Sequence, residues 1–397
     1  MSAPATTTAP SRPKAALGIL VVGVLAVAWH RAPWLVLTAG PVALAALIAV
    51  RVRKLARRSR KRACQGTASV WEKQQKLSRR AAGRRAPGTP SAVLLGHASG
   101  QPVYCGRTQA KLLLAPPRTW KTALIASWAA PAPGALVATS SRGDLWEHTA
   151  VQRAARGDVY VLDADGDTGI DTNFTWDPVE WCGNPQTAIR RAGDFMAASP
   201  RDPSGRDAFH EDRGARFLSY LLHAAAIAGA PMQDVYWWAG NALSGEPQKH
   251  LRHENAYPGW ALELDALLDC DTLSGIQQSA LAALGWIRDP VLAAVVNPGK
   301  GQKRFHPRRF VHEGTDSVYL TGTDREYGSF APLFGAVTAE AFAAARHVAE
   351  RSPGRRLAVP LTLALDELMT ICPVPAWQWA AVAEGYRVEL IAGVQSP

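Results

Sequence analysis

Three stretches of the sequence combine residue types that bind phosphate and metal ions. In the first, LLLAPPRTWKTALIAS, Lys121 and Thr122 follow a short apolar run and a turn. In a phosphate-binding loop of pattern G-x-x-x-x-G-K-[ST], backbone N–H groups surround the phosphates, the Lys reaches the β- and γ-phosphates, and the hydroxyl binds Mg²⁺. Lys121 and Thr122 match the last two positions, so we expect them to bind ATP with Mg²⁺. We expect Arg118, Thr119 and Trp120, which precede them in the same loop, to bind the nucleotide as well.

The loop departs from that pattern at both glycines, because Ala115 and Trp120 occupy their positions. Glycine allows close approach of the backbone to phosphate and a positive φ angle, and Trp favours neither. The sequence therefore predicts weak ATP binding. It also predicts that Trp120→Gly tightens binding by about 1–2 kcal/mol, roughly tenfold, and that Lys121→Ala abolishes it.

The second and third stretches carry acids, an arginine and an amide. LTLALDELMT is an apolar run that ends at Asp366 and Glu367. There Asp366 would hold Mg²⁺ together with Thr122, and Glu367 would polarise the attacking water. Arg387 precedes the next apolar run and Gln395 follows it, where they could stabilise transition-state charge from a neighbouring subunit and sense the γ-phosphate. The alternative is a strand that meets solvent at two acids, flanked by ordinary loop residues.

Short apolar or β-branched runs alternate with longer Ala-rich runs from residue 91 onward, which predicts a parallel sheet with helices on both faces. The predicted strands are residues 111–114, 135–139, 159–163, 317–321, 361–365 and 388–392. The predicted helices between them are residues 121–130, 143–155, 328–350 and 376–384. Residues 181–310 hold long Ala- and Leu-rich segments and almost no strand signal. We interpret them as an all-α domain inserted into the α/β unit.

The N-terminal part has a different composition. The 397-residue chain has a formal charge of +11, and residues 51–90 alone hold 14 Lys and Arg against one Glu. Before this block, residues 15–29 and 33–50 carry no charged side chain. A membrane span needs about 20 apolar residues, so the two runs predict a transmembrane hairpin. The basic residues that follow place both termini in the cytoplasm.

Two alternatives stay open for the N-terminal part. The first apolar run could be a cleaved signal peptide. The basic block could serve only as a lipid-facing collar, or it could contact nucleic acid. The five cysteines have no C-x-x-C spacing, so we predict reduced thiols.

The chain resembles the TraG-type conjugative coupling proteins, membrane-anchored ATPases of type IV secretion related to FtsK-like DNA translocases. The resemblance rests on the order of the motifs rather than on any single one. After the apolar hairpin and basic linker come APPRTWKT, ATSSRGDLWEHTA, VYVLDADG and TWDP, then the helical region, SVYLTGTDREYGSFAPL and LALDEL followed by Gln395. By position, Lys121 and Thr122 match the family's Walker A residues, and Asp366 and Glu367 match its Walker B pair. Arg387 matches its arginine finger, and Gln395 its sensor.

The resemblance implies a RecA-like P-loop motor with an inserted all-α domain, forming a homo-hexamer in the cytoplasmic (inner) membrane. The implied partners are single-stranded DNA or a relaxase–DNA complex, type IV secretion channel components and the membrane. The predicted organisation is a tail (1–14), hairpin (15–50), basic linker (51–90), first motor segment (91–180), helical insert (181–310) and a second motor segment that we expect to be truncated (311–397). The alternatives are a pseudo-ATPase with a structural or recruiting role and an FtsK-like translocase.

Overall fold

A computed structural model of the chain describes residues 92–98, 101–166, 168–199, 208–299, 301–323 and 329–395. The predicted membrane hairpin and basic linker lie outside these residues. Within the described part, no single helix has both the length and the apolar composition needed to cross a membrane. One pair of helices joined at a 99° bend, Leu273–Arg288 and Pro290–Val296, passes the same test when taken together.

A six-stranded parallel sheet forms the centre of the described part. Its strand order is β3-β8-β7-β4-β6-β5. The strands are β3 Lys111–Leu114, β4 Leu136–Ser140, β5 Val159–Asp163, β6 Ser317–Thr321, β7 Leu361–Leu365 and β8 Val388–Val394. Every neighbouring pair runs parallel. The α/β fold and all six strands predicted from the sequence are confirmed.

The inner strands are continuous apolar runs because both of their faces are covered. Every residue of β4, β6, β7 and β8 is buried, as expected for a parallel sheet between helical layers. Successive side chains enter opposite layers. In β7, Leu363 and Leu365 join the larger apolar cluster, whereas Ala364 joins the smaller one.

Helices cover the two faces of the sheet. On one face, Ile125 of α1 (Lys121–Ala129) and Leu145 of α2 (Asp144–Ala154) belong to the same apolar cluster as Ala364. On the other face, α11 (Ala331–Glu350) shares the larger cluster with the leucines of β7. Two shorter helices follow β7, α12 (Leu368–Ile371) and α13 (Ala376–Tyr386). The helices predicted at the places of α1, α2, α11 and α13 are confirmed, whereas α12 was not predicted.

The chain between β5 and β6 is mostly helical in its described residues. Its helices are α3 Pro185–Ala197, α4 Ala208–Ala228, α5 Met232–Gly240, α6 Glu246–Leu251, α7 Trp260–Leu268, α8 Leu273–Leu284, α9 Pro290–Val296 and α10 Pro307–Glu313. Their apolar side chains belong to the same cluster as one face of the sheet. Arg190 and Arg191 of α3 both donate to Glu340 of α11, over 2.6 and 2.7 Å. The helical insert predicted for residues 181–310 therefore shares one hydrophobic core with the sheet.

Two strands were not predicted. β1 (Ala92–Ala98) and β2 (Gln101–Gly106) form a separate antiparallel pair. The register shifts between Leu94 and Gly96, and this irregularity interrupts the period-2 alternation on which a sequence-based prediction depends. The Trp128 indole N–H donates to the Leu94 carbonyl over 2.8 Å, which fastens the pair to α1.

Candidate functional site

The predicted site residues meet at one edge of the sheet, where three neighbouring strands end. β3 leads into the loop of residues 115–120 and then into α1, β7 ends just before Asp366 and Glu367, and β8 ends just before Gln395. In the sheet, β8 lies between β3 and β7. Parallel strands present their carboxyl ends at the same edge, and open α/β sheets bind their ligands there. Segments more than two hundred residues apart in sequence therefore form one site.

Asp366 contacts both Lys121 and Thr122. Lys121 Nζ lies 3.6 Å from Asp366 Oδ1, and Thr122 Oγ1 donates a hydrogen bond to Asp366 Oδ2 over 2.5 Å. The Lys121 and Asp366 side chains are only 8% and 4% exposed. Lys121, Thr122 and Asp366 thus form one cluster, in which Lys121 and Asp366 are buried.

The environment of the Asp366 carboxyl group raises its pKa above the ordinary value of 3.8. Burial is the main cause, and the Thr122 hydroxyl and the Lys121 ammonium group oppose the shift. The backbone of Asp366 is fixed as well, because its N–H donates to the Thr139 carbonyl of β4 over 3.1 Å. The carboxylate also accepts from the Glu367 N–H over 3.1 Å. Asp366 is therefore positioned from several sides.

Glu367 and Gln395 form a second contact at this edge. Gln395 Nε2 donates to Glu367 Oε1 over 2.8 Å. Glu367 has a φ of 55°, in the left-handed region, and α12 begins directly after it. The turn after β7 therefore places the two successive acids differently, with Asp366 on the Lys121 side and Glu367 on the Gln395 side. The structure thus brings Lys121 and Thr122 to Asp366, and Gln395 to Glu367.

The loop before α1 has the backbone shape that glycine would favour. Arg118 and Trp120 have φ angles of 63° and 64°, and the Trp120 side chain is 83% exposed. The Thr119 hydroxyl donates to the Pro116 carbonyl over 2.7 Å and closes the turn. The expectation that Trp120 keeps the backbone out of this conformation is therefore wrong. The chain adopts the left-handed conformation with Trp in place, at the energetic cost that a Cβ atom imposes there.

The first turn of α1 leaves backbone donors available. The initial N–H groups of a helix have no acceptor within the helix. In the described residues, the N–H groups of Lys121, Thr122 and Ala123 also meet no acceptor elsewhere. Free N–H groups at a helix N-terminus favour a bound anion. The loop therefore retains the backbone property that phosphate binding requires.

Arg387 lies apart from these residues. It precedes β8, whereas Gln395 follows it, so the two are separated by the length of the strand, roughly 25 Å at 3.3 Å per residue. The Arg387 guanidinium donates to the Leu357 and Ala358 carbonyls over 3.1 and 2.8 Å. Within one chain Arg387 does not reach the site. Its role across a subunit boundary stays a prediction.

One residue of the site was missed by the sequence analysis. Gly393 of β8 faces the Lys121–Asp366 pair, and a Cβ atom placed on it would lie 2.8 Å from Asp366 Oδ1. A glycine inside an apolar strand signals a close approach of other atoms. That signal was present in the run VELIAGV.

The described fold is that of the coupling proteins of bacterial conjugation. Solved structures that it resembles include those of one such protein, TrwB. The unbound monoclinic form of TrwBdeltaN70 is 16% identical to the chain, with a TM-score of 0.55 over 81% of this chain and 68% of TrwB. TrwB complexes with the GTP analogue GDPNP and with ADP and Mg²⁺ are each 17% identical over 81% of this chain and 70% of TrwB, with TM-scores of 0.56 and 0.52.

No protein-family model and no curated protein sequence matches the chain. The likeness to TrwB is therefore one of fold. The shared fold confirms the predicted resemblance to the TraG-type coupling proteins. At 16–17% sequence identity, the comparison concerns the fold alone.

The residues at the site fit a magnesium nucleotide. Mg²⁺ prefers oxygen ligands and commonly binds through one or two carboxylates together with substrate phosphates. Thr122 and Asp366 supply a hydroxyl and a carboxylate whose oxygens are 2.5 Å apart. Free N–H groups and the Lys121 ammonium group suit phosphate. In the described part of the chain, no group of three or more His, Cys, Asp and Glu side chains could hold a metal ion.

Proposed function

We propose that this chain is a membrane-anchored coupling ATPase, which recruits and translocates DNA or a DNA–protein complex in conjugative type IV secretion. One observation carries the proposal. Lys121, Thr122, Asp366, Glu367 and Gln395 converge at the carboxyl edge of a sheet whose fold is that of TrwB. TrwB has been solved with ADP and Mg²⁺ and with ATP and GTP analogues, which supports the same ligand class here.

The Lys121–Thr122–Asp366 cluster binds the nucleotide and the metal ion, and the Glu367–Gln395 pair acts on the attacking water. Lys121 and the first N–H groups of α1 bind the phosphates, and Thr122 and Asp366 would hold the Mg²⁺ that neutralises phosphate charge. Glu367 orients and polarises the attacking water from the turn after β7. Gln395 holds the Glu367 carboxylate in place and reports on the γ-phosphate position. Both residues of this pair are on strand ends, so a shift of β8 against β7 would break their hydrogen bond.

ATP turnover by the full chain, with and without single-stranded DNA, tests the proposal. Lys121→Ala should abolish nucleotide binding, whereas Glu367→Gln should bind ATP and fail to hydrolyse it. Lys249→Ala, at an exposed position of α6, is the matched control and should behave as the wild-type chain. A wild-type chain that binds no Mg²⁺–ATP, with or without DNA, would refute the proposal.

The second candidate is a pseudo-ATPase that serves as a structural or recruiting membrane subunit. The contact between Lys121 Nζ and Asp366 favours it, because a lysine engaged by a carboxylate must be released before it can bind phosphate. The strained loop at Trp120 favours it as well. This candidate predicts a wild-type chain whose weak affinity is unchanged in Lys121→Ala.

The ring and its arginine finger require a separate experiment. We propose that Arg387 acts on the site of a neighbouring subunit in a homo-hexamer, which fits its distance from its own site. Arg387→Ala should then lower turnover and leave ATP affinity nearly unchanged. Mixing Arg387→Ala subunits with Lys121→Ala subunits should restore part of the activity, because an intact site forms at some mixed interfaces. The absence of rescue in mixed rings of verified assembly would contradict this role.

The membrane anchor is proposed from the sequence alone. Reporters fused before residue 15 and after residue 50 should both lie in the cytoplasm, with His30 outside. A mature chain that has lost residues 1–29 would favour the signal-peptide alternative. Single-stranded DNA, a relaxase–DNA complex and secretion-channel components are the partners we propose for the cytoplasmic part.

A further inference from the structure

Gly393 occupies a crowded position between β8 and α1. A Cβ atom at residue 393 would lie 2.8 Å from Asp366 Oδ1, 3.1 Å from Ile125 Cδ1 and 3.3 Å from Lys121 Cδ. The first distance is shorter than Cβ atoms show in folded proteins, and the other two are tight. The backbone there lies outside the left-handed region. Space, and not backbone conformation, therefore makes residue 393 a glycine.

The register of the sheet explains the crowding. Gly393 pairs with Leu113 of β3, and Ile391, two residues earlier on the same face, packs in the cluster beneath α1. The missing side chain at 393 lets the first turn of α1 lie directly on β8. Lys121 thereby reaches across β8 to Asp366, which follows the next strand, β7. A larger residue at 393 would separate the elements that carry the metal and phosphate ligands.

We propose that Gly393 is a positioning residue for the Asp366 carboxylate, and that only a hydrogen atom at this position lets Asp366 share one cation with Thr122 while Lys121 remains alongside. The inference rests on the proposed Mg²⁺–ATP site. Gly393 acts through Asp366 and needs no contact with the nucleotide. The end of β8 thus contributes twice to the site: Gly393 leaves room for the Asp366 carboxylate, and Gln395, directly after the strand, holds Glu367.

The test compares ATP affinity with Mg²⁺ and with EDTA, using a fluorescent ATP analogue and the full chain. Gly393→Ala should weaken the Mg²⁺-supported affinity by roughly tenfold to a hundredfold, the range typical when a residue that positions a metal ligand is replaced. The affinity in EDTA should change much less. Gly385→Ala is the matched control, because its Cβ atom would meet no atom within 4 Å, and its Mg²⁺-to-EDTA ratio should equal that of the wild type.

A second pair of variants separates positioning from packing. Ile125→Val removes the Cδ1 atom that a residue-393 methyl group would touch, so it relieves the closer of the two contacts with α1 and leaves the clash with Asp366. The Mg²⁺ defect of Gly393→Ala should persist in the double variant, even where Ile125→Val restores its folding. In a double-mutant cycle, Gly393→Ala and Asp366→Asn should be strongly non-additive.

The outcomes are distinct. A wild-type chain without Mg²⁺-supported binding would overturn both the proposed function and this inference. A wild-type chain that binds Mg²⁺–ATP, together with a Gly393→Ala chain of unchanged Mg²⁺-to-EDTA ratio, would overturn the inference alone. Full recovery of that ratio by Ile125→Val would also overturn it, because the glycine would then serve only the packing of α1.

Discussion

Replacing Trp120 with glycine should stabilise the fold more than it tightens ATP binding. Trp120 has a φ of 64° and a ψ of 20°, and a residue with a Cβ atom loses about 1–2 kcal/mol in that conformation. Glycine avoids this loss but has more freedom in the unfolded chain, which offsets about 0.5–1 kcal/mol. The Trp120 ring is 83% exposed, so its removal sacrifices little burial. We therefore expect a net gain of about 1 kcal/mol in the free energy of unfolding.

Affinity should respond less, because the left-handed conformation belongs to the folded loop itself, whose turn the Thr119 hydroxyl closes on the Pro116 carbonyl. Binding then releases no strain, and the ATP affinity of Trp120→Gly should lie within about threefold of the wild type. The sequence alone suggested roughly tenfold tightening, on the assumption that the loop could not take this shape. Given the structure, we expect Trp120→Gly to increase the free energy of unfolding rather than the ATP affinity.

Urea unfolding of the wild type, Trp120→Gly and Trp120→Ala measures the effect. Alanine removes the ring as glycine does but keeps the Cβ atom, so the difference between the two variants isolates the backbone conformation. Trp120→Gly should be the more stable of the two by about 1 kcal/mol. If Trp120→Ala were equally stable or more stable, the left-handed assignment would be wrong. Tenfold tighter ATP binding with unchanged stability would mean that the loop reaches its shape only when nucleotide binds.

Two further predictions concern buried charges outside the site. Glu389 is fully buried and accepts from Arg107 and Lys111 over 2.8 and 3.0 Å, so Glu389→Gln should destabilise the fold by about 3–5 kcal/mol in urea unfolding. Glu313→Gln is the control: it lies in an exposed pair with Arg309, and its free energy of unfolding should stay close to that of the wild type. Burial raises the pKa of Asp194 to about 7 from 3.8. The folded state therefore favours the protonated carboxyl group, and the free energy of unfolding of the wild type falls as the pH rises from 3.8 to about 7. Asp194→Asn should accordingly gain stability relative to the wild type between pH 4 and 7, and a constant difference would contradict the raised pKa.

Much of the fold follows from local sequence patterns. The six parallel strands are short apolar runs with a helix pattern between them, and each was located to within two residues. The β1–β2 pair lacks such a signal, because the irregularity at Gly96 breaks its alternation. The shared core of the helical stretch and the sheet was also not predictable. Contacts such as those of Arg191 with Glu340 join residues 149 positions apart, and no periodicity specifies them.

The site was predictable as far as residue types follow strand ends. Asp366 and Gln395 directly follow the ends of apolar runs, and Lys121 follows such a run after a six-residue loop. Parallel strands bring such ends to one edge. The order of strands in the sheet was not available from the sequence. That order puts β8 between β3 and β7, and it makes Gly393 part of the metal side.

Strained backbone conformations are concentrated at the same edge of the sheet. Six non-glycine residues of the described chain have a positive φ, and three of them, Arg118, Trp120 and Glu367, lie in the turns that form the site. Each turn could be relaxed by glycine, so the strain is not required by the sheet. What the three residues share is a place in the turns that follow β3 and β7 at the carboxyl edge of the sheet. Backbone strain persists where the surrounding structure holds it in place, and here the Asp366 cluster on one side and the Gln395–Glu367 hydrogen bond on the other supply that support.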